Sequence, residues 1–553
     1  MLTKAAEAIA SCTTQAIGGG NTMLHFVTIV RRVWPETRPR NRCIAPALRI
    51  ESAPMISRDL VTRPMVLSQA DKTLLVVFGT AIKSAVDLVV GVTLARTISQ
   101  EDFGSYRQFL LIFGTLVGLT SLGLPQSLLY FVPKRIEIDA PQYIRRTFSL
   151  ILGTTTAAVL AVALLGGWIS DAFNNSDLRS LLWIGCLYPL AQAATQCLPF
   201  LLIALNRHAQ AALVSVLLGL INGIVIVVPA LCGASLRTIV WIVSALSGLM
   251  LGATLVIARR CSGGLNLSSP TGVTRDLLGY SLPLGANSML GTVYQKLDRF
   301  LISLYYNPAL LAVYSVGALE LPVVPVLPYT VGRVLIPRFA ELHRSGRKAE
   351  ILPLWHRSII KVGLLLLPIF FICFAIAPDM VSWLYGPDYG QAAGIFRIYL
   401  LLLPLRLTSY GAILQGTGDS RGVLYGTILT VILAGIIGVL LIYPMGWYGP
   451  AVGAVVTQVV LIIYLLQRIR LRLECSWRDL WPWIKTLKLF GAAGFAALPA
   501  LAAAHLTSVH EWSIVAGIAG FMLAFIGLAM AFKLADDEDW ALARRWLTLR
   551  VFS

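Results

Sequence analysis

Seven charged side chains that lie within or beside long apolar runs are the residues of this chain that could do chemistry. They are Lys83, Asp87, Lys296, Asp298, Glu320, Arg333 and Arg397. An ionised group in a membrane span costs about 2.5–3.5 kcal/mol on insertion scales, so such groups usually face a bundle interior or an aqueous cavity. We therefore expect these residues to line an internal site.

The spacing of these residues places them on helical faces. Lys83 and Asp87 stand at i and i+4, where opposite charges on a helix can pair. Asn287, Gln295 and Asp298 lie on a polar stripe of the run 277–304. A helix that faced only lipid would not carry such a stripe.

The balance of charge within the apolar runs is cationic. Arginine offers a fork of donors to phosphate oxygens and lysine a mobile point charge. We expect phosphate or an acidic sugar to bind Lys83, Arg333 and Arg397. Gating of the chain, or its coupling to H⁺ or Na⁺, is assigned to Asp87, Asp298, Lys296 and Glu320. Pairing within the chain or snorkelling to an interface is the alternative use of such groups.

The composition is that of a polytopic membrane protein. Of the 553 residues, 57% are hydrophobic and 13% are charged, whereas a soluble domain has about 25% charged residues. A net charge of +18 does not indicate nucleic acid, because basic residues gather in the cytoplasmic loops of membrane proteins and no recognition motif accompanies them.

Motifs for catalysis or for metal binding are not found in the sequence. The eight cysteines are scattered without a C-x-x-C pair. Neither G-x-S-x-G nor H-E-x-x-H occurs. We expect no enzyme activity, no metal and no cofactor.

About fourteen apolar runs are long enough to cross a hydrocarbon core of roughly 30 Å. They are 72–96, 106–132, 147–170, 181–205, 210–232, 237–258, 277–304, 309–336, 359–385, 392–415, 423–443, 447–467, 483–504 and 512–533. Arginine and lysine concentrate in alternate connections, which predicts that both termini are cytoplasmic.

The sequence divides into five segments. Residues 1–64 are arginine-rich and are interpreted as a basic, disordered extension or as an upstream start that is not used, with Met65 as the alternative start. An N-lobe of helices 1–6 is predicted over 65–262 and a C-lobe of helices 7–12 over 263–470. Helices 13 and 14 follow over 471–536, and a cytoplasmic tail over 537–553.

An internal repeat supports this division. LPQSLLYFVPKR at 124–135 parallels LPYTVGRVLIPRF at 327–339, about six spans later. Because six is an even number, the two halves should share one orientation and be related by an axis along the membrane normal.

Several segments resemble one known family. They are LARTISQEDFGSY at 94–106, SLPLGANSMLGTVYQKLDRFLIS at 281–303, LAVYSVGALELPVV at 311–324 and GWYGPAVGAVV at 446–456. Together these resemble the Wzx-type oligosaccharide flippases of the multidrug/oligosaccharidyl-lipid/polysaccharide exporter superfamily. The resemblance covers about residues 66–470.

The resemblance implies an all-α, MATE-like fold with two six-helix lobes in parallel pseudo-repeat and two extra C-terminal helices. It implies that undecaprenyl-pyrophosphate-linked oligosaccharide is flipped across a bacterial inner membrane by alternating access, for exopolysaccharide, capsule or O-antigen. Partners would be that lipid-linked substrate, the bilayer, and polysaccharide polymerase and chain-length or export proteins.

Three alternatives stay open. A lipid II-type flippase would need the same cationic groups. A MATE-like cation or drug antiporter would favour acidic cavity residues. A membrane glycan polymerase would be an enzyme with large outer loops, and the outer connections predicted here are short.

Overall fold

The computed structural model describes residues 69–134, 140–262, 271–319, 323–506 and 510–532. In these ranges the chain forms α-helices joined by turns and a few 3-10 segments, without a strand. The all-α prediction is therefore confirmed. The predicted N-terminal extension, the predicted tail and Glu320 lie outside the described residues.

The first nine helices make up what we call the N-half. They are α1 (Gln69–Thr97), α2 (Gln100–Thr120), α3 (Leu124–Lys134), α4 (Ala140–Ala172), α5 (Leu178–Ile184), α6 (Leu187–Thr195), α7 (Cys197–Ala204), α8 (His208–Leu231) and α9 (Leu236–Ser262). The family-like motif contains the start of α2, where the Ser99 side chain accepts from the Asp102 amide at 3.1 Å. This N-cap satisfies an amide that the helix leaves unpaired.

The next ten helices make up the C-half. They are α10 (Thr271–Tyr305), α11 (Pro308–Gly317), α12 (Val323–Arg344), α13 (Ile351–Ala375), α14 (Ala377–Tyr385), α15 (Ala392–Leu400), α16 (Leu402–Leu405), α17 (Tyr410–Gly416), α18 (Ser420–Met445) and α19 (Gly449–Leu473). Asn307 caps α11 by accepting from the Leu310 amide at 2.9 Å, and Pro308 takes the first helical position. The joint between α10 and α11 thus follows directly from its sequence.

Three helices follow the C-half. They are α20 (Trp477–Leu480), α21 (Trp483–Leu506) and α22 (His510–Ala531). α21 packs along α13, and α22 packs on α21 and α14. The C-terminal pair therefore lies against the C-half.

The helices fall on the apolar runs predicted from the sequence. Eight helical ranges in the described part of the chain are long and apolar enough to cross a membrane. Leu164 is 85% exposed and Leu523 is 75% exposed, as suits side chains that face lipid. The chain is a multi-pass membrane protein, and the total of fourteen spans stays a prediction.

Both halves open with the same order of elements. The long α1 is followed by α2, a break and α3, and the long α10 is followed by α11, a break and α12. The predicted repeat segments lie in equivalent places, the first over α3 and the second within α12. Leu122 and Gly123 make the first break, with φ of 48° and 71°.

Candidate functional site

Asp298 is held by two tyrosines from other helices, and we call Asp298, Tyr314 and Tyr399 the Asp298 triad. Tyr314 of α11 donates to Oδ2 of Asp298 at 3.3 Å, and Tyr399 of α15 donates to the same oxygen. The two hydroxyl oxygens are 3.0 Å apart, and the rings meet edge to face. Tyr314 is fully buried and Tyr399 is 8% exposed. A proton or cation at Asp298 would therefore change a contact that joins three helices.

Lys296 extends from α10 to the N-half. A Cβ built on Gly114 of α2 would lie 2.6 Å from its Nζ. The ammonium group therefore rests directly on the α2 backbone, where only glycine leaves room for it. Lys296 lies at the seam between the two halves.

Arg299 lies one residue beyond Asp298 and is directed toward the end of α11. Its Nη2 donates to the Ala318 carbonyl at 2.9 Å. The charge of Arg299 also acts on Arg107 of the N-half and on Lys296. Arg299 is thus close enough to repel one cation of each half, Arg107 and Lys296.

Arg107 on α2 is a site residue to which the sequence analysis gave no role. Its guanidinium lies over the Phe103 ring, with Cζ 4.7 Å from the centroid. Its Nε is buried and has no hydrogen-bond partner among the described residues. The sequence does carry a signal for Arg107. This arginine directly follows the family-like motif and lies within the apolar stretch FGSYRQFLLIFG.

Lys83 and Asp87 belong to the same neighbourhood. The charges of Lys83 and Arg107 both act on Asp87. Both α1 side chains are exposed, and the Lys83 stem packs on α8, where Cγ lies 3.4 Å from a Cβ built on Gly219. The ion pairs found within the described ranges do not include one between Lys83 and Asp87. Asp87 is thus open to other cations.

Five charged residues therefore form a continuous set, which we call the charge cluster: Lys83, Asp87, Arg107, Lys296 and Arg299. Each influences at least one other member electrostatically. Four are cationic, and both halves contribute. Arg107, Lys296 and Arg299 are partly buried, so the repulsion of Arg299 on the other two is unfavourable, and an anion among them would relieve it.

The other predicted substrate ligands lie elsewhere. Nε of Arg397 donates to the Phe374 carbonyl at 3.1 Å, and its Cζ lies 5.4 Å from the Phe374 ring, at the end of α13. Arg333 is exposed on α12. The contacts of the described residues do not bring Arg333 or Arg397 to the charge cluster. Their roles, like those of Lys83, Asp87, Lys296 and Asp298, stay predictions.

Metal binding was not expected from the sequence. Within the described ranges, no group of three or more His, Cys, Asp or Glu residues is placed to hold a metal ion. Acidic groups of the site are instead held by phenols, as at Asp298, or exposed, as at Asp87.

A family model described as polysaccharide biosynthesis protein matches residues 93–393, more than half of the chain. The chain belongs to this family. The matched range includes Asp298 and Tyr314 of the triad but not Tyr399. It includes Arg107, Lys296 and Arg299 of the charge cluster but not Lys83 or Asp87. No curated protein matches the chain.

Solved structures with the same fold are transporters and flippases. A lipid II flippase, MurJ in an inward closed conformation, is 14% identical with a TM-score of 0.63; the match covers 83% of this chain and 98% of that one. A multidrug resistance MATE family transporter of the MOP superfamily, in an inward-facing conformation, is 14% identical with a TM-score of 0.58 over 71% and 94% of the two chains.

The MATE multidrug transporter DinF-BH is 11% identical with a TM-score of 0.52 over 74% and 96% of the two chains. At these identities the likeness establishes the fold alone. The family match confirms the resemblance to polysaccharide biosynthesis proteins, and the solved structures confirm the MATE-like architecture.

Proposed function

We propose that this family member flips a polyprenyl-pyrophosphate-linked oligosaccharide from the cytoplasmic to the periplasmic leaflet of a bacterial inner membrane. The N-half and C-half would alternate between inward-open and outward-open states, with headgroup and sugars in the interior and the lipid tail in the bilayer. The product would serve exopolysaccharide, capsule or O-antigen assembly.

The observation that carries this proposal is the charge cluster. Arg107 comes from the N-half, Lys296 and Arg299 come from the C-half, and the charge of Arg299 acts on both others. An anion placed among them is attracted by both halves at once. Cations that meet across a seam suit a substrate that must be held while the halves move.

A pyrophosphate fits the donors available there. Arg107 and Arg299 can each present a planar fork to phosphate oxygens, and Lys296 supplies a point charge. Nε of Arg107, which has no hydrogen-bond partner in the part of the chain that the structure describes, is a donor for such an oxygen. Of the three anion ligands predicted from the sequence, only Lys83 belongs to the charge cluster. We therefore extend the proposed anion site to Arg107 and Arg299, and to Lys296, for which the sequence predicted a gating or coupling role.

Asp87 and Asp298 are proposed to couple the cycle to H⁺ or Na⁺. Asp298 ties α10, α11 and α15 through its two tyrosines, so a change in its charge alters the packing of the C-half. We expect Asp298→Ala to abolish transport at normal protein levels. Full activity of that variant would remove Asp298 from the mechanism.

Orientation and partners complete the proposal. Both termini would be cytoplasmic, on the distribution of arginine and lysine among the connections. Periplasmic polymerase and chain-length or export proteins would take over the delivered units. The protein itself would carry out no covalent chemistry.

The first test is a deletion strain whose undecaprenyl-linked glycans are labelled and located by leaflet. Complete repeat units that accumulate on the cytoplasmic face, with surface polysaccharide lost, support the proposal. Units that reach the periplasm without polymerising point to a polymerase. An unchanged glycan profile with increased sensitivity to cationic drugs points to an antiporter.

The charge cluster is tested by complementation of that strain. A strain complemented with Arg107→Gln should lose most of its surface polysaccharide at normal protein levels, since this change removes both the positive charge and the planar guanidinium donors. Arg237→Gln is the matched control, because Arg237 forms an exposed surface ion pair with Asp177 at 2.9 Å. Equal activity of the two variants would remove Arg107 from the site.

A lipid II-type flippase is the second candidate, favoured by the fold shared with MurJ. The same cations would then hold the pyrophosphate of a peptidoglycan precursor. Rescue of a strain depleted of its own lipid II flippase by this chain would establish that alternative, whereas failure to rescue favours the polysaccharide substrate.

A further inference from the structure

The end of α1 and the start of α2, on either side of the first loop, contact the C-half at one end of the bundle. The guanidinium of Arg96 donates from Nε to the Leu384 carbonyl at 2.8 Å and from Nη2 to the Trp383 carbonyl. Nε2 of Gln100 donates to the Asp388 carbonyl at 2.9 Å. Every acceptor is a main-chain oxygen at or just past the end of α14.

Two of these acceptors, the carbonyls of Trp383 and Leu384, are oxygens that the end of α14 leaves unpaired. α14 stops at Gly386, whose φ of 101° few other residues adopt. The last carbonyls of a helix lack partners within it, and a cation beside them also complements the helix dipole. Arg96 thus serves as the cap of a helix that belongs to the other half of the molecule.

An apolar layer lies directly beneath these hydrogen bonds. Phe103 and Tyr389 meet edge to face at 6.2 Å, and both are buried. A Cβ on Gly104 would lie 1.8 Å from the Pro308 carbonyl oxygen, so α2 and α11 touch through their backbones. The two halves are closed at this end.

Two polar atoms in this layer have no partner within the described residues. They are Nε of Arg107, beside Phe103, and the hydroxyl of Tyr389. A buried donor without a partner is unfavourable relative to one in water. Separation of the halves would admit water to both atoms, so the closed end retains a tendency to open.

We propose that Arg96, Gln100 and Phe103, with the segment 383–389, form a first-loop latch that closes the outer end of the transport path. The inference deepens the proposed function and rests on it, because a latch matters only in a chain whose halves alternate access. On the predicted orientation, this end is periplasmic. The latch holds the closed state, and its release precedes delivery of the substrate.

The latch is tested by distance measurement on the full chain in nanodiscs. Spin labels are placed at the exposed positions 101 and 391 through Glu101→Cys and Gln391→Cys, after the eight native cysteines are replaced. With Arg96 present, a short distance should dominate. Arg96→Ala should lower the ratio of short to long distances by about tenfold, as expected for the loss of charge-assisted hydrogen bonds.

A wedge gives a second readout of the same latch. Gly104→Leu places a side chain where the Pro308 carbonyl lies and should hold the halves apart, giving long distances. Gly153→Leu is its control, since a Cβ there meets nothing within 4 Å. Arg237→Ala, which removes an exposed ion pair within the N-half, is the control for Arg96→Ala.

The latch is overturned if the folded Arg96→Ala and Gly104→Leu variants both keep the distance distribution of the parent. Gln100→Ala provides the milder change should Arg96→Ala fail to fold, and a distribution unchanged there overturns the latch equally. The measurement needs no substrate. If the distances show that the latch opens, but deletion of the gene leaves the glycans unchanged, the proposed substrate is refuted and the latch is not.

Discussion

Replacing Tyr399 by phenylalanine isolates one contact of the Asp298 triad. The ring, its burial and its edge-to-face contact with Tyr314 remain, and only the hydroxyl is lost. Asp298 then keeps a single phenol donor, Tyr314 at 3.3 Å. The variant therefore reports on the hydrogen bond rather than on packing.

The expected cost follows from the kind of bond removed. A hydrogen bond to a charged group contributes about 1.5–3 kcal/mol to stability, about twice the value for a neutral pair. Tyr399→Phe should lower the free energy of unfolding by that amount. Tyr399→Phe combined with Tyr314→Phe should cost more than the sum of the single changes, because the second loss leaves the carboxylate without either phenol.

Unfolding of the purified protein in mixed micelles, followed by tryptophan fluorescence, measures these differences. Tyr443→Phe is the matched control, since Tyr443 is 78% exposed and should change stability little. A cost below about 0.5 kcal/mol for Tyr399→Phe, where about 1.5 is the least expected, would refute the triad. Strict additivity of the two tyrosine changes would refute the shared acceptor.

Two further changes test the fold at defined points. Gly123→Ala should lower the free energy of unfolding by more than the roughly 1–2 kcal/mol that a left-handed conformation costs a residue with a side chain. The additional loss is expected because a Cβ at position 123 would lie 2.7 Å from the Gly285 amide nitrogen. Gly233→Ala is the control for backbone strain alone, because Gly233 has a similar φ and a Cβ there would meet nothing within 4 Å. Although burial opposes the shift, hydrogen bonds from Arg468 and the Gly422 amide lower the pKa of Asp419 below its ordinary 3.8. A depressed pKa contributes stability above the unfolded-state value that is lost as the pH falls through the folded value. The melting temperature should thus fall less steeply with decreasing pH for Asp419→Asn than for the parent, as thermal unfolding at a series of acidic pH values would measure.

Much of the helical architecture could be predicted from the sequence because membrane spans are recognisable as long, continuous apolar runs. The break after α10 was visible as Asn307-Pro308, and capping by Asn307 explains it. The repeat was visible in its prolines, which lie in α3 and α12. These are local signals, set within a few residues of one another.

The site was only partly predictable because contacts between distant segments decide it. Asp298 and Lys296 were chosen for charge within an apolar run, but the tyrosines and Gly114 that hold them lie 16 to 182 residues away in sequence. Arg107 was overlooked because it stands near the start of a span, where a cation usually reaches an interface. Arg107 lies near Tyr385 and Tyr389 of the C-half, which stand nearly three hundred residues later in the sequence.

Helix α2 connects the charge cluster to the latch. Phe103 and Arg107 are one helical turn apart, and the guanidinium lies over the ring that packs on Tyr389. An anion that drew Arg107 toward Lys296 would break the contact between the Arg107 guanidinium and the Phe103 ring. Binding at the centre and opening at the end would then be linked through one turn of helix, and by linkage the opening would change anion affinity by the same factor.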